Sequence, residues 1–467
     1  MSLSPDPSAV IIPGEGLPAL QRRAAMAAIL TSVALATLDA AITNTALPTI
    51  ARDLGTDAAG SIWVVSAYQL AMVAALLPLA SMGEIVGYRR VYISGLIVFT
   101  LASLACGMAP TLPFLTASRV IQGFGGAAIT GVNLALIRSV FPKALLGRGL
   151  GFNALTVAMS FTIGPTVASA ILSVATWHWL FLINVPFGAV ALTIALRTLP
   201  ATPRAGHSFD IVAALLSGAM FSLVIFGIDG VGQGGSWPMV LVEWGTALGC
   251  LLALLRRQSG HVAPMLAIDL FRAPVFALSA VTSVCSFSAQ SLAFVSLPFL
   301  FQHGFGRSQV EAGFLMTPWP AVVAIMAPIA GRLSDRYSTG LLGGAGLFTL
   351  GIGMAALALL PANPSVADIV WRLLICGAGF GFFQTPNLKA MMSSAPPQRS
   401  GGASGIVATA RLFGQANGAA LVAVCFSASE ASGPQLALWL GSAFATAASI
   451  ASLLRLFVAK PKPPEIR

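Results

Sequence analysis

Charge is what this sequence has least of. Only 9% of its residues are Asp, Glu, Lys or Arg, while 57% are hydrophobic. An ordinary soluble domain carries about 25% charged residues, so a water-soluble globule is excluded. Histidine is also scarce. His178, His207, His261 and His303 are scattered, and none shares an apolar run with a catalytic-looking partner, which leaves no zinc-binding histidine pair. The cysteines, Cys106, Cys250, Cys285, Cys376 and Cys425, all lie in apolar runs without metal-ligand spacing. They read as small packing residues. No glycine-rich loop leads into a lysine as a phosphate cradle would. The first 20 residues hold prolines and acids but no basic segment, so they read as a disordered tail and not a cleaved signal.

Long apolar sequence is what the chain has in abundance. A membrane-spanning helix needs about 20 apolar residues. Fourteen such runs are predicted, near 24–47, 61–81, 91–109, 113–137, 150–174, 178–197, 210–229, 237–256, 274–301, 311–331, 340–361, 367–391, 402–427 and 434–458. The loops between them are mostly short and leave no room for a soluble catalytic domain. The net charge of +10 falls in small clusters between the runs, which argues against a nucleic-acid-binding face. It reads as topology instead. Twenty Lys and Arg residues fall in loops and tails on one side, against Arg52 and Arg307 on the other. The positive-inside rule then places both termini in the cytoplasm of a multi-pass protein of the cell (inner) membrane.

The chain repeats itself. Gly151, Ser160 and Gly164 in the fifth run match Gly405, Gly414 and Gly418 in the thirteenth, 254 positions on. Arg119 in "SRVIQGFGG" corresponds to Arg372 in "WRLLICGAGFG", and "SMGEIVGYRR" to "GRLSDRYSTG". Runs 1–6 and 9–14 are therefore two copies, with runs 7–8 inserted between them. This predicts an all-α membrane protein of two six-helix bundles plus two inserted helices. Its parts are a tail (1–23), a first bundle (24–200), the insertion (201–272), a second bundle (273–458) and a second tail (459–467). Parallel six-helix repeats with a site near the bilayer midplane are the architecture of a major-facilitator transporter.

One acid lies deep in the spans. Asp39 sits in "VALATLDAAITNTALP", nine residues before Pro48, or about 13 Å from the outer end of its helix. Arg119 follows Pro113 by six residues, about 9 Å below the same surface. The two reach similar depth, and an intramembrane ion pair is predicted if their helices are neighbours. Such a carboxylate can exchange a proton for a positive partner. Asp229 and Glu243 lie near the outer ends of the inserted helices, where water suffices to solvate them. Asn44, Gln69, Phe287, Gln290, Trp319, Gln384, Asn387, Arg411 and Gln415 are candidates for a polar–aromatic substrate wall. Gly164, Pro165 and the glycines of runs four and twelve permit the close helix contacts that a rocking motion needs. Pro165, Pro318 and Pro320 mark bends, which membrane helices tolerate where neighbours re-satisfy the backbone.

These motifs resemble those of the fourteen-helix drug:proton antiporters of the major facilitator superfamily, the DHA2-type multidrug efflux transporters. "LDAAITNTALPTIARDLG", "SIWVVSAYQL", "SRVIQGFGGAA", "WHWLFLINVPFG", "GFLMTPWPAVVAIMAPIAGRLSDRY" and "GGASGIVATARLFGQANGAAL" carry the resemblance over nearly the whole chain. The resemblance implies that Asp39 is the protonation or cation-binding carboxylate and Arg119 the fourth-helix arginine associated with proton transfer. The charged motif after the second helix departs from the family pattern at Glu84, Ile85 and Tyr88. A gate there would rest on Glu84, Gly87, Arg89 and Arg90, with Gly331, Asp335 and Arg336 from the second copy's matching motif; Arg372, the counterpart of Arg119, is a further gating candidate. The fifth-helix antiporter motif keeps Gly164 and Pro165 but has Ser160, Ala168 and Ser169 where small glycines are usual.

The expected function is a proton-coupled exporter of amphipathic drugs or dyes, monomeric, with protons and a small molecule as partners and no cofactor beyond the proton gradient. One alternative is export of a metabolite or organic anion with Arg119, Arg372 or Arg411 as counter-charge. A polytopic membrane enzyme or sensor is the remote one.

Overall fold

The computed structural model describes residues 16–142, 145–202, 204–205, 208–232, 235–258, 267–396, 399–429 and 431–458, and no strand occurs among them. The expected tail 459–467 lies outside the described residues, as does most of the tail 1–23. The first part of the chain forms α1 (Ala19–Asp53), α2 (Ala58–Val86), α3 (Tyr88–Gly107), α4 (Leu112–Val140), α5 (Leu146–Leu172), α6 (Trp179–Leu182) and α7 (Asn184–Thr198). Two further helices follow, α8 (Ile211–Gly232) and α9 (Trp237–Gln258). The remainder comprises α10 (Pro274–Phe299), α11 (Gln309–Met316), α12 (Pro318–Leu333), α13 (Thr339–Ala358), α14 (Val366–Ser394), α15 (Ser400–Ala428) and α16 (Gly433–Leu454). Among the described residues, thirteen helical stretches are long and apolar enough to cross a membrane. The 29-residue α15 covers the run expected at 402–427. In hydrocarbon each backbone polar group needs an internal partner, and helices provide one for every residue.

Two spans are discontinuous, for chemical reasons. Pro186 has no N–H to offer the carbonyl of Leu182 and its ring crowds that carbonyl, and the helix breaks at Ile183 between α6 and α7. Pro318 and Pro320 act in the same way at Thr317, between α11 and α12. Helix ends carry side-chain caps: Asp57 accepts from the Gly60 N–H, and Ser308 with Glu311 forms a capping box. Gly87 alone links α2 to α3 at φ 108°, a conformation that a side chain would strain.

The repeat is visible as matching contacts. In the first copy Gly123 of α4 lies against the Tyr68 backbone of α2, and Gly125 against Gly95 and Phe99 of α3. In the second, Gly377 of α14 lies against the Trp319 backbone of α12, and Gly379 against Gly346 and Leu350 of α13. The inserted α8 and α9 pair through Gly227 and the Trp244 indole, and Arg257 holds Asp210 at 2.9 Å. α8 also stacks Phe226 on Trp63 of α2.

Compactness divides the chain into two units. One holds 1–265, 294–317 and 419–434; the other holds 266–293, 318–418 and 435–467. The first unit thus takes α11 and the last turns of α10 and α15. Within it, α11 packs on α5 and on the C-terminal end of α1. Thr49 donates to Gln309 Oε1 at 2.7 Å, Gln309 Nε2 donates to the Leu172 carbonyl at 3.0 Å, and the Thr166 and Thr317 hydroxyls lie 2.8 Å apart.

Gly313 makes that seam possible. A methyl group there would overlap Ser169 Oγ and lie 2.9 Å from the Pro165 carbonyl oxygen and 3.0 Å from Thr45 Cγ2. Ser169 can rotate away, but the Pro165 backbone cannot. Gly313→Leu is therefore expected to part α11 from α5. Cysteines at Thr49 and Gln309 should cross-link readily in the parent protein and several-fold more slowly in the Gly313→Leu background. Equal cross-linking rates would show that the seam does not depend on this contact.

Candidate functional site

Asp39 lies on α1 with its side chain fully enclosed, and so does Arg119 on α4. They form an ion pair through Arg119 Nη1 and Asp39 Oδ2. The other carboxylate oxygen, Oδ1, accepts from Gln122 Nε2 at 2.9 Å and from Asn184 Nδ2 at 2.8 Å. Gln122 lies one turn after Arg119 on α4, and Asn184 is the first residue of α7, beside the Pro186-induced break. Three side chains from two helices thus converge on one carboxylate.

Arg119 is held on its other sides as well. Its Nε donates to the Val64 carbonyl of α2 at 2.9 Å, and Nη1 also donates to Gln122 Oε1 at 2.6 Å. The guanidinium carbon lies 4.1 Å from the Tyr68 ring centroid and 5.5 Å from that of Phe181 on α6. Those faces add cation–π attraction where no water competes. Gln122 extends the network to Ser103 of α3 at 2.8 Å. Tyr68 is fixed by its hydroxyl donating to the Ala36 carbonyl at 3.1 Å.

The chemical capability follows from this geometry. A carboxylate sealed from solvent is costly unless paired and hydrogen-bonded, and here it has one arginine and two amide donors. A proton on Oδ2 would displace the arginine bond, while Oδ1 could still accept from both amides. A movement of α7 or α4 against α1 would therefore break or remake these contacts. Gln122, Asn184 and Tyr68 were not evident as site residues from sequence. Their signals were Gln122 at i+3 from Arg119 and an amide just before the proline of "INVP".

The other candidates fall into three groups. Asn44 and Gln69 are buried on α1 and α2, each with its carbonyl oxygen unpartnered. Phe287 meets Phe380 edge-on at 5.4 Å, and Gln290, Gln384, Arg411 and Gln415 are half-buried. Trp319 and Asn387 are buried. Asn387 donates to the Ser279 carbonyl and Ser283 Oγ and accepts from Arg455 at 2.8 Å. Arg455, a loop residue by sequence, is itself buried in that cluster.

At the helix ends, Gly164 lies against Ala41, beside Pro165, and Gly331 lies near Thr385. The Glu84 carbonyl accepts from the Ala205 N–H, Arg89 donates to the Leu196 carbonyl, and Arg90 is exposed. Asp335 pairs with Lys389 at 2.6 Å, and Arg336 is exposed. Arg372 pairs with Asp368 one turn earlier at 3.1 Å and donates to the Ala356 carbonyl at 2.6 Å.

The fold and this sealed charge network define a many-helix membrane transporter. The chain belongs to the Major Facilitator Superfamily, whose sequence profile matches residues 29–419. It is 48% identical over 447 residues to the uncharacterized transporter YebQ of Escherichia coli strain K12, covering 95% of this chain and 98% of that one. It is 30% identical to the riboflavin transporter RibZ of Clostridioides difficile strain 630, over 85% of this chain and 86% of that one. It is 32% identical to the multidrug resistance protein Stp of Mycobacterium tuberculosis strain H37Rv, over 87% and 74% respectively. Among solved structures, a POT family transporter in complex with a thioalcohol-conjugated peptide superposes with a TM-score of 0.70 at 14% identity, over 92% of this chain and 95% of that one. That likeness concerns the fold.

Proposed function

We propose that this protein is a proton-coupled exporter of small amphipathic molecules. It works by alternating access, as a monomer in the cell (inner) membrane with both termini in the cytoplasm. The observation that carries the reading is Asp39: the single acid deep in the first bundle, sealed from solvent and held by Arg119, Gln122 and Asn184. An intramembrane carboxylate of this kind is costly unless it serves a proton or ion pathway. Export draws on the proton gradient and on no bound cofactor. The names of relatives, a riboflavin transporter and multidrug resistance proteins, make flat amphipathic molecules the first class to test.

The test is reconstitution of the full chain in sealed vesicles with an imposed pH difference, followed by a panel of cationic, zwitterionic and anionic dyes. Movement should follow the sign of the gradient and stop when an ionophore dissipates it. Movement indifferent to the gradient would sink proton coupling, and movement of nothing on the panel would sink the substrate class.

A further inference from the structure

Of the arginines that the sequence places inside the spans, one is uncommitted among the described residues. Arg119 is matched by Asp39, and Arg372 by Asp368. Arg455, one residue past α16, is held by Ser279, Asn387 and Ser452. Arg411 makes no hydrogen bond or ion pair with any described residue, and it is half-buried. It is the twelfth residue of the 29-residue α15, about 16 Å along the helix from Ser400. That is middle depth, far from either helix end.

Its own unit supplies no counter-charge. The described acids there are Asp269, Asp335 and Asp368, and each is already engaged, by Arg399, Lys389 and Arg372 respectively. α15 is also fixed in place rather than free to turn. Gly414 lies against the Val284 carbonyl and Phe287 Cβ of α10, Ser291 donates to the Gln415 carbonyl at 2.8 Å, and Asn417 donates to Ser288 Oγ at 3.0 Å. Gln415 stands one turn beyond Arg411, so the two side chains lie on neighbouring surface of the helix. Its carboxamide makes no hydrogen bond with the described residues, and Phe287 and Phe380 provide an aromatic pair on the adjoining helices.

We infer that Arg411, assisted by Gln415, recognises an oxyanion on the transported molecule. The substrate class is then a flat amphipathic compound bearing a carboxylate or a comparable acidic group. A guanidinium suits this task because its fork of donors matches two oxygens at once and it stays charged at any working pH. The inference rests on the reading of the chain as an exporter and adds the charge of its cargo.

The probes are a rhodamine carboxylic acid and its methyl ester, which share one ring system and differ in the acid. The full chain is reconstituted in phosphatidylcholine vesicles, so that no anionic lipid headgroup is present. The parent protein should move the acid at least tenfold faster than the ester. Arg411→Gln should slow the acid at least tenfold and the ester several-fold less than the acid, while Arg411→Lys should retain part of the acid rate. Equal rates for acid and ester, an equal slowing of both by Arg411→Gln, or no movement of either probe would overturn the inference. If the acid preference appears only until anionic lipid is added, the oxyanion is a headgroup and the substrate assignment fails. Preference for the acid without dependence on the pH gradient would instead remove proton coupling and leave the role of Arg411 standing.

Discussion

Asparagine at position 39 is expected to reduce gradient-driven transport to the level of protein-free vesicles while leaving the helices assembled. Asn keeps the size of the side chain, and its oxygen can still accept from Gln122 and Asn184, which lie 2.9 and 2.8 Å from the carboxylate in the parent. Its other terminal atom becomes an N–H₂ that meets the Arg119 donor, so the pairing is lost. Nothing at that position can then take up or release a proton. Exchange of labelled for unlabelled substrate with no gradient needs no net proton movement, and it should survive. The parent exchange rate should vary with pH and the variant's should be flat. Transport by Asp39→Asn at the parent rate would place coupling elsewhere. Asp39→Glu provides the control: it restores a titratable group on a longer arm, and partial gradient-driven transport should return.

Much of this arrangement was legible in the sequence, because its signals are physical. Apolar runs of spanning length and an off-key acid in the first of them owe their visibility to the cost of exposing backbone or charge to hydrocarbon. Counting residues from Pro48 and Pro113 placed Asp39 and Arg119 at one depth, and they do meet. The neutral part of the site was not legible. Gln122 and Asn184 are amides of a kind that serve as ordinary helix glue in many membrane helices. Only the convergence of α1, α4 and α7 gives them a carboxylate to hold. The arginines show the same limit. The Asp368–Arg372 pair has the i,i+4 spacing that sequence displays, whereas the lack of a partner for Arg411 among the described residues is a property of the folded chain alone. Arg455 stands at the end of the last apolar run and counts by sequence with the tail charges, yet Ser279, Asn387 and Ser452 draw it inside.

Removing Arg119 alone should be the most destabilising single change in the first bundle. In Arg119→Met the apolar side chain fills most of the space, but the Asp39 carboxylate stays sealed from water with only its amide donors. Breaking one side of a buried pair in this way costs about 3–5 kcal/mol, whereas replacing both members by neutral groups is often close to neutral. The double variant Asp39→Asn/Arg119→Met should therefore recover most of the loss. The bonds from Arg119 to Val64 and Gln122 and its contact with the Tyr68 ring are absent from both arginine variants. They cancel in the cycle and leave the charge pair as the measured quantity. Unfolding in a mild detergent, followed by helix signal, reads the effect. Arg119→Met should unfold at markedly lower denaturant than the parent, and the double variant close to it. A double variant as unstable as the single one would mean that the packing around Arg119, not the charge beside it, holds the bundle together. The recovered double variant should still fail to transport against a gradient, which separates what Asp39 does for stability from what it does for the proton.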